Sequence, residues 1–308
     1  MKELIKFTGL IAAPFAPMHK DGSVNTGLIS KYYEFLEKNN ITGAFINGTT
    51  GEGASLSQKE KRAVTENWTR ISGERNNIRI INLVGGTSYQ ECIENAIHSS
   101  EAGIDAIAIM APYFFKPSEP TQLAEFCTIV GEAVPDLPVY FYHIPSLTGV
   151  DFPMIDFLRK ISAMLPNFSG IKFTKEDFMD YLTCLNFENG KYDIFWGRDE
   201  CMLSALALGA KGFVGSTYNY AAPLYYKMIN SFNNNDLDEA RILQQKSISM
   251  ICLLGKYGGI ATGKAFMRYI GFDCGQFRLP VKNMNDSQYT DFIRDVDSLE
   301  MKDLFSVF

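Results

Sequence analysis

Phe168-Ser-Gly-Ile-Lys-Phe-Thr174 is a short apolar stretch with a lysine, Lys172, near its centre. The polar run 175–180 follows it, so the pattern predicts a buried strand that leads into a helix. A primary ammonium is costly to bury, and desolvation lowers the pKa of the amine towards neutrality. A neutral amine can attack a carbonyl carbon, which makes Lys172 a candidate nucleophile. The alternatives are an edge lysine whose ammonium reaches water and a lysine in a buried ion pair.

Seven further segments have the pattern of strands, and the sequence between them has helical patterns. The strand-like segments begin near Phe7, Gly43, Ile78, Ala106, Val139, Ile194 and Gly212. Most of them are short apolar runs, as expected for strands that are covered on both faces. Eight units of strand and helix, at roughly 30 residues each, predict an α/β fold, the closed (β/α)8 TIM barrel. A doubly wound sheet is the alternative, because sequence does not exclude a reversal of strand order.

Helix signals support this alternation and continue after the last strand. Ser57-Gln-Lys-Glu60 has the capping-box pattern and predicts the start of a helix that runs towards Ile71. Further helical patterns cover 89–102, 121–133, 237–254, 260–270 and 287–299. We therefore predict that residues 1–222 form the barrel and that residues 223–308 form appended C-terminal helices. These helices would pack on the barrel or against a neighbouring subunit, and the chain would be one folding unit.

Composition argues against several kinds of partner. The 308 residues are 46% hydrophobic and carry a net charge of −6, so there is no basic footprint for nucleic acid or for an anionic membrane. The six cysteines are scattered singly without a CxxC pair, and the three histidines are too few and too dispersed for a metal cluster. We therefore expect no metal, no nucleic-acid partner, no membrane association and a reducing, cytoplasmic location.

Active sites of such barrels lie at the carboxyl ends of the strands, and two strand ends here carry distinctive residues. The second strand ends in Asn47-Gly-Thr-Thr-Gly-Glu-Gly53, whose backbone N–H groups and hydroxyls suit a carboxylate or phosphate. An ordinary tight turn is the alternative, and the motif is neither a P-loop nor a dinucleotide fingerprint. On the fifth strand, alternation puts Tyr142 and His143 on opposite faces, and His143 would face the helices. Tyr142 would then lie over Lys172, which is one strand away. Tyr142 is thus a candidate proton carrier, or else a packed tyrosine with a satisfied hydroxyl.

Three more strand ends carry residues that suit a hydroxylated ligand. They are Thr174, Trp196-Gly-Arg-Asp-Glu200 and Gly215-Ser-Thr-Tyr-Asn219, after the sixth, seventh and eighth strands. Asp199 and Glu200 have an alternative role as acidic residues at the N-terminus of a helix. Together these residues describe a site with an amine nucleophile, a phenol, an anion-binding loop and acceptors for a polyol.

This combination resembles the Schiff-base aldolase family that contains N-acetylneuraminate lyase and dihydrodipicolinate synthase. The shared motifs are GTTGEG (48–53), YHIPSLTG (142–149), GIKFT (170–174), GRDE (197–200), GSTYN (215–219) and RLP (278–280), in the order of the family. The pattern is most similar to the lyase branch, because Leu147 stands where the synthase branch has an arginine for its dicarboxylic substrate. The resemblance implies a carbon–carbon lyase that reversibly cleaves N-acetylneuraminate to N-acetyl-D-mannosamine and pyruvate.

The resemblance also implies roles for individual residues. Lys172 would form an imine with the keto carbon of the substrate, and Tyr142 would take the proton from the C4 hydroxyl as the C3–C4 bond breaks. The substrate-binding positions would be Thr49 and Thr50 for the carboxylate, and Thr174, Gly197, Asp199, Glu200 and Ser216 for the hydroxylated tail. Many members have a further tyrosine that reaches the active site of a neighbouring subunit. Phe114 stands at that position here, so the substrate carboxylate or a water would replace this relay.

No metal or organic cofactor is implied, because the protonated imine itself accepts the electrons of the breaking bond. The implied partners are sialic acid, pyruvate and N-acetylmannosamine, within a homotetramer. Three alternatives remain. They are a related aldolase for another 2-keto-3-deoxy sugar acid, dihydrodipicolinate synthase, and a barrel that binds sialic or keto acids without turnover.

Overall fold

Eight parallel strands form a closed barrel in sequence order in the computed structural model, which describes residues 6–308. The strands are β1 Gly9–Ala12, β2 Gly43–Ile46, β3 Arg79–Leu83, β4 Ala106–Met110, β5 Val139–His143, β6 Phe168–Phe173, β7 Asp193–Trp196 and β8 Gly212–Gly215. Strand β1 pairs with both β2 and β8, which closes the barrel. The predicted (β/α)8 TIM barrel is confirmed, and the doubly wound sheet is excluded.

Twelve α-helices surround or follow the strands between residues 6 and 308. They are α1 Ile29–Lys38, α2 Gln58–Arg75, α3 Tyr89–Glu101, α4 Pro120–Gly131, α5 Pro145–Thr148, α6 Met154–Met164, α7 Phe178–Asn186, α8 Met202–Ala207, α9 Tyr218–Asn233, α10 Leu237–Lys256, α11 Ala261–Tyr269 and α12 Asp286–Ser298. None of these twelve helices combines the length with the apolar character that a membrane-spanning helix needs.

The capping box predicted from the sequence opens α2. Glu60 N donates to Ser57 Oγ at 3.4 Å, and Ser57 N donates to Glu60 Oε2 at 2.8 Å. These two bonds satisfy backbone N–H groups that the first turn of a helix leaves without an intrahelical partner. The helix then continues beyond Ile71 to Arg75.

Alternation along the strands divides the apolar core into two layers. Inside the barrel, Tyr140 stacks on Phe195 with ring centroids 5.1 Å apart. Outside it, Phe141 packs on Phe157 of α6 with centroids 4.6 Å apart. His143 lies on this outer side, 5.3 Å from the ring of Phe173, so its predicted orientation towards the helices is confirmed.

The C-terminal helices join the barrel through aromatic side chains. Phe266 of α11 stacks on Tyr220 of α9 at 4.6 Å and meets Phe292 of α12 at 4.8 Å. No strand follows residue 221 in the described chain, as predicted. Helix α9 itself crosses the predicted boundary at residue 222, with non-helical backbone at Ala221. The division into 1–222 and 223–308 stays a prediction.

A bulge in β6 sets the register of the two strands that carry the candidate catalytic residues. Val139 pairs with Phe168, but Tyr140 pairs with Gly170, so one extra residue, Ser169, lies on β6. A bulge of this kind shifts all later pairs by one residue. The shift puts Lys172 directly opposite Tyr142, with both side chains facing the barrel interior.

Candidate active site

Lys172 lies inside the barrel on β6, and its side chain is only 5% exposed. Its Nζ is 3.9 Å from the centroid of the Tyr142 ring and 4.2 Å from that of the Phe45 ring. Within residues 6–308, no carboxylate oxygen lies within ion-pair distance of this nitrogen. Both alternatives for this lysine, an edge position and a buried ion pair, are therefore excluded.

Burial lowers the pKa of Lys172 to about 7, and the negative charge of Asp199 opposes this shift. The cause is desolvation, which penalises the charged ammonium more than the neutral amine. A substantial fraction of the Lys172 side chains is therefore neutral near pH 7, where an ordinary lysine is almost fully protonated. The site thus provides a nucleophilic amine at neutral pH.

Tyr142 lies on β5 with its hydroxyl next to the candidate carboxylate-binding loop. Its Oη is 3.4 Å from Thr49 Oγ1, and its ring meets the Phe45 ring edge to face at 5.5 Å. Burial raises the pKa of Tyr142 to about 12, and the hydrogen bond between Tyr142 and Thr49 opposes the shift. The side chain is therefore a neutral phenol at pH 7, which can accept a proton at its oxygen while it donates its own.

The loop 47–53 between β2 and α2 has the geometry of an anion-binding turn. Its two ends, Asn47 and Glu52, have left-handed backbone conformations with φ of 55° and 56°. A Cβ on Gly53 would lie 1.8 Å from Asn47 O, so only glycine fits this close approach. In the described chain the backbone N–H groups of Thr49 and Thr50 donate to no acceptor, which leaves them available to a carboxylate.

Asp199 follows β7 and is buried beside the end of β8. Its Oδ2 accepts hydrogen bonds from Thr217 N at 3.2 Å and Thr217 Oγ1 at 2.6 Å, whereas its buried Oδ1 forms no hydrogen bond of ordinary geometry, although the buried Tyr218 hydroxyl lies close to the carboxyl group. The carboxyl group fits there because Gly215 has no Cβ, which would lie 2.0 Å from Oδ1. Burial raises the pKa of Asp199 to about 6. One oxygen is thus fixed by the protein and the other remains available to a ligand hydroxyl.

Three further candidates lie at the same edge of the barrel, after β6 and β7. Thr174 Oγ1 is buried without a hydrogen-bond partner, and a Cβ on Gly197 would lie 2.3 Å from it. Glu200 is partly exposed and pairs with Arg198 at 2.8 Å, and Arg198 also pairs with Glu176. This ion-pair cluster ties together the loops that follow β6 and β7.

Ser216 follows β8 and is partly exposed. Its carbonyl oxygen accepts a hydrogen bond from Asn219 Nδ2 at 2.8 Å, which fixes the backbone at this strand end. All nine residues singled out as candidates therefore lie on, or directly after, the carboxyl ends of β2, β5, β6, β7 and β8.

Sequence analysis did not single out several residues that shape the site. Phe45 packs on both Lys172 and Tyr142, and alternation along β2 would have placed it inside the barrel. Thr217 holds Asp199, and its hydroxyl lies 2.7 Å from Tyr225 Oη. Tyr225 lies on α9, so no local pattern connects it with the end of β7.

Phe114, the predicted departure from the family pattern, and Leu147, which stands in place of the arginine of the synthase branch, are both exposed. Phe114, after β4, is 75% exposed, and Leu147, on α5, is 61% exposed. Neither side chain has a group that could bind a carboxylate or carry a proton. The site therefore combines a buried amine, a phenol and free backbone donors, without a guanidinium at position 147.

Comparisons with known proteins agree with this geometry. The dihydrodipicolinate synthetase family matches residues 6–299. The chain belongs to this family. Among its relatives in the family, the N-acetylneuraminate lyase of Rattus norvegicus is 39% identical over 283 residues, which is 90% of this chain and 88% of that protein. The human N-acetylneuraminate lyase is 38% identical and covers 97% of this chain and 95% of its own length.

Solved structures of the same family superimpose closely. The N-acetylneuraminate lyase of Proteus mirabilis has a TM-score of 0.93 at 38% identity, covering 96% of this chain and 99% of that one. The N-acetylneuraminate lyase of Aliivibrio salmonicida has a TM-score of 0.92 at 35% identity, with 96% and 97% covered. The predicted membership in the aldolase family is thereby confirmed.

Proposed function

We propose that this protein is a class I aldolase that reversibly cleaves N-acetylneuraminate to N-acetyl-D-mannosamine and pyruvate. The observation that carries the proposal is Lys172, a buried amine of lowered pKa that lies against the Tyr142 ring. A shared fold alone does not establish an activity. The choice of substrate is supported by relatives named N-acetylneuraminate lyase that are 38% and 39% identical over most of the chain.

The first step is imine formation at Lys172. The neutral Nζ attacks the C2 keto carbon of the open-chain sugar acid, and water leaves to give an imine that is then protonated. The free N–H groups and hydroxyls of Thr49 and Thr50 hold the substrate carboxylate next to this carbon. Because the loop is fixed before the substrate arrives, the carbonyl carbon is presented to the amine in a defined orientation.

The second step is cleavage of the C3–C4 bond. The electrons of this bond move into the protonated imine and form an enamine, while the C4 hydroxyl loses its proton and becomes the aldehyde of N-acetylmannosamine. Tyr142 accepts this proton at Oη and gives its own to the substrate carboxylate, because a phenol with a pKa of about 12 does not act as a preformed base. Protonation of the enamine at C3 and hydrolysis of the imine then release pyruvate.

The hydroxylated tail of the substrate occupies the barrel mouth near β7 and β8. The residues proposed to bind it are Thr174, Gly197, Asp199, Glu200 and Ser216. Two buried oxygens support this assignment, since Thr174 Oγ1 and Asp199 Oδ1 form no hydrogen bond of ordinary geometry with the protein. Buried polar atoms are normally hydrogen-bonded, so hydroxyl groups of a ligand suit both positions.

The same proposal covers cofactors and partners. The reaction needs no metal or organic cofactor, because the protonated imine stabilises the developing negative charge. The partners are small molecules, without nucleic acid or membrane, and the protein works in the cytoplasm as a homotetramer. The exposed pair Phe114 and Phe115, with ring centroids 5.0 Å apart, supports a subunit contact at the loop after β4.

A product assay tests the proposed function directly. We expect N-acetylneuraminate to give pyruvate and N-acetylmannosamine in equal amounts, and the reverse reaction to consume both. Other 2-keto-3-deoxy sugar acids, and pyruvate with aspartate semialdehyde, serve as competing substrates. Faster turnover of one of these would overturn the substrate assignment. No product at stoichiometric enzyme would instead support a barrel that only binds its ligand.

The pH dependence of turnover follows from the lowered pKa of Lys172. Below about pH 7 the side chain carries a proton and has no lone pair for attack, and above it the amine is neutral. We therefore expect kcat/KM for N-acetylneuraminate to rise with pH through about 7 and to level off above it, because kcat/KM reports the free enzyme. A midpoint near the ordinary lysine value of 10.5 would contradict the proposed environment of the amine.

A further inference from the structure

A buried ion pair connects the carboxylate-binding loop with the C-terminal helices. Lys264 Nζ, on α11, donates to Glu52 Oε1 at 2.8 Å, and both side chains are almost completely buried, at 2% and 4% exposure. Glu52 belongs to the loop 47–53 and follows Thr50 by two residues. This pair is thus a direct contact between the proposed site and the C-terminal helices.

The remaining polar atoms of the pair also have partners. Lys264 Nζ donates to Gln276 O at 3.0 Å, and Glu52 Oε2 accepts from Arg278 N at 2.9 Å. The ammonium lies 4.7 Å from the Phe277 ring centroid. Helix α11 packs directly against the Phe15 ring because Gly263 has no Cβ. A Cβ at this position would lie 2.3 Å from the ring. The pair is therefore held on several sides by the segment that follows α11.

The backbone at Glu52 explains why its side chain affects the loop. The residue has φ of 56°, which is unfavourable for a residue with a side chain, and its N–H donates to Thr49 O at 3.1 Å. Glu52 thus fixes the end of the turn that presents the free N–H groups of Thr49 and Thr50. Loss of Lys264 would leave the Glu52 carboxylate with only the Arg278 N–H as a partner in the described chain, and would thus remove one of the two contacts that hold this end of the turn.

We propose that Lys264 is a positioning residue that, through Glu52, holds the Thr49–Thr50 turn in the conformation that binds the keto-acid carboxylate. This inference rests on the proposed function and assigns a role to a residue of the C-terminal helices. A buried ion pair is by itself weak evidence for stability, because desolvation offsets most of the attraction between the charges. The test therefore asks whether the ion pair fixes the geometry of the Thr49–Thr50 turn, rather than whether it stabilises the fold.

The test is the variant Lys264→Met, with pyruvate as the probe. Borohydride reduces the imine at Lys172, so the pyruvate concentration that gives half-maximal labelling reports binding of the carboxylate. We expect this half-saturating concentration to rise about 10- to 100-fold, because small misplacements of positioning groups have effects of this size. Labelling at saturating pyruvate should still reach Lys172.

Two controls separate positioning from loss of stability. Phe292→Leu loosens the same helical region, because Phe292 packs on Phe266 of α11, and it should lower Tm without changing the half-saturating pyruvate concentration. The double variant Glu52→Gln with Lys264→Met removes both buried charges, so it should regain Tm relative to Lys264→Met. Its half-saturating concentration should stay raised, and this variant carries the test if Lys264→Met does not fold.

Three outcomes would overturn the inference. They are an unchanged half-saturating concentration in folded Lys264→Met, a half-saturating concentration in Phe292→Leu that rises as much as in Lys264→Met, and a normal half-saturating concentration in the double variant, which would show that the pair has a purely structural role. If the unmodified protein gives no labelling with pyruvate, the proposed function fails instead.

Discussion

Lys172→Ala is expected to abolish cleavage of N-acetylneuraminate while the barrel remains folded. The reaction proceeds through a bond to the Lys172 amine, and alanine offers no nucleophile for the imine. We expect kcat to fall by at least about 10⁴-fold, in line with the loss of covalent nucleophiles in other enzymes. The fold should persist because the lysine forms no ion pair within the described chain and is costly to bury as an ammonium.

The matched control for this variant is Lys160→Ala. Lys160 is exposed on α6, on the outside of the barrel, so its loss should change neither kcat nor Tm. Pyruvate formation by both variants and by the unmodified protein is measured together with circular dichroism. Residual activity of Lys172→Ala close to that of Lys160→Ala would contradict the imine mechanism.

Tyr142→Phe is expected to lower kcat by about 10²- to 10⁴-fold, the usual contribution of a general acid–base group. The substitution removes only the hydroxyl, whose hydrogen-bond partner in the described chain is Thr49 at 3.4 Å. Proton transfer from the C4 hydroxyl then lacks its carrier, but imine formation at Lys172 does not need it. We therefore expect borohydride with pyruvate to label this variant as fully as the unmodified protein.

Tyr140→Phe is the matched control, because Tyr140 lies on the same strand and faces the same interior. Its hydroxyl donates to Asp193 Oδ2 at 2.9 Å, deeper in the barrel. We expect its loss to destabilise the fold by about 1–3 kcal/mol, since a buried carboxylate oxygen loses one of its two donors and keeps only Phe7 N. The kcat of Tyr140→Phe should hardly change. Equal losses of kcat in both variants would show that Tyr142 acts through packing rather than through proton transfer.

Local patterns in the sequence predicted much of this architecture. Apolar runs predicted the start of every strand to within about two residues, because strands covered on both faces are nearly continuous apolar runs. The capping box at Ser57 predicted the start of α2 because its two hydrogen bonds join residues only three positions apart. Alternation on β5 placed Tyr142 and His143 on opposite faces, because successive side chains of a strand point to opposite sides.

These local patterns could not predict contacts between residues that are far apart in the sequence. The bulge at Ser169 decides which residue of β5 lies opposite Lys172, and no local pattern in the sequence marks it. Lys264 and Glu52 are 212 residues apart, so no spacing rule connects them. The sequence did not distinguish Asp199 from Glu200 as a ligand-binding residue. The structure buries Asp199 against Thr217 and leaves Glu200 in a partly exposed ion pair.

The most direct test of the account is reduction with borohydride in the presence of pyruvate, followed by intact-mass measurement and peptide mapping. The account predicts one reduced pyruvyl group per chain, attached to Lys172, because this is the lysine buried against Tyr142 with a lowered pKa. The partly exposed Lys175, three residues further along and paired with Asp151 at 2.7 Å, provides an internal comparison and should stay unlabelled. No adduct, or an adduct on another lysine, would contradict the proposed chemistry.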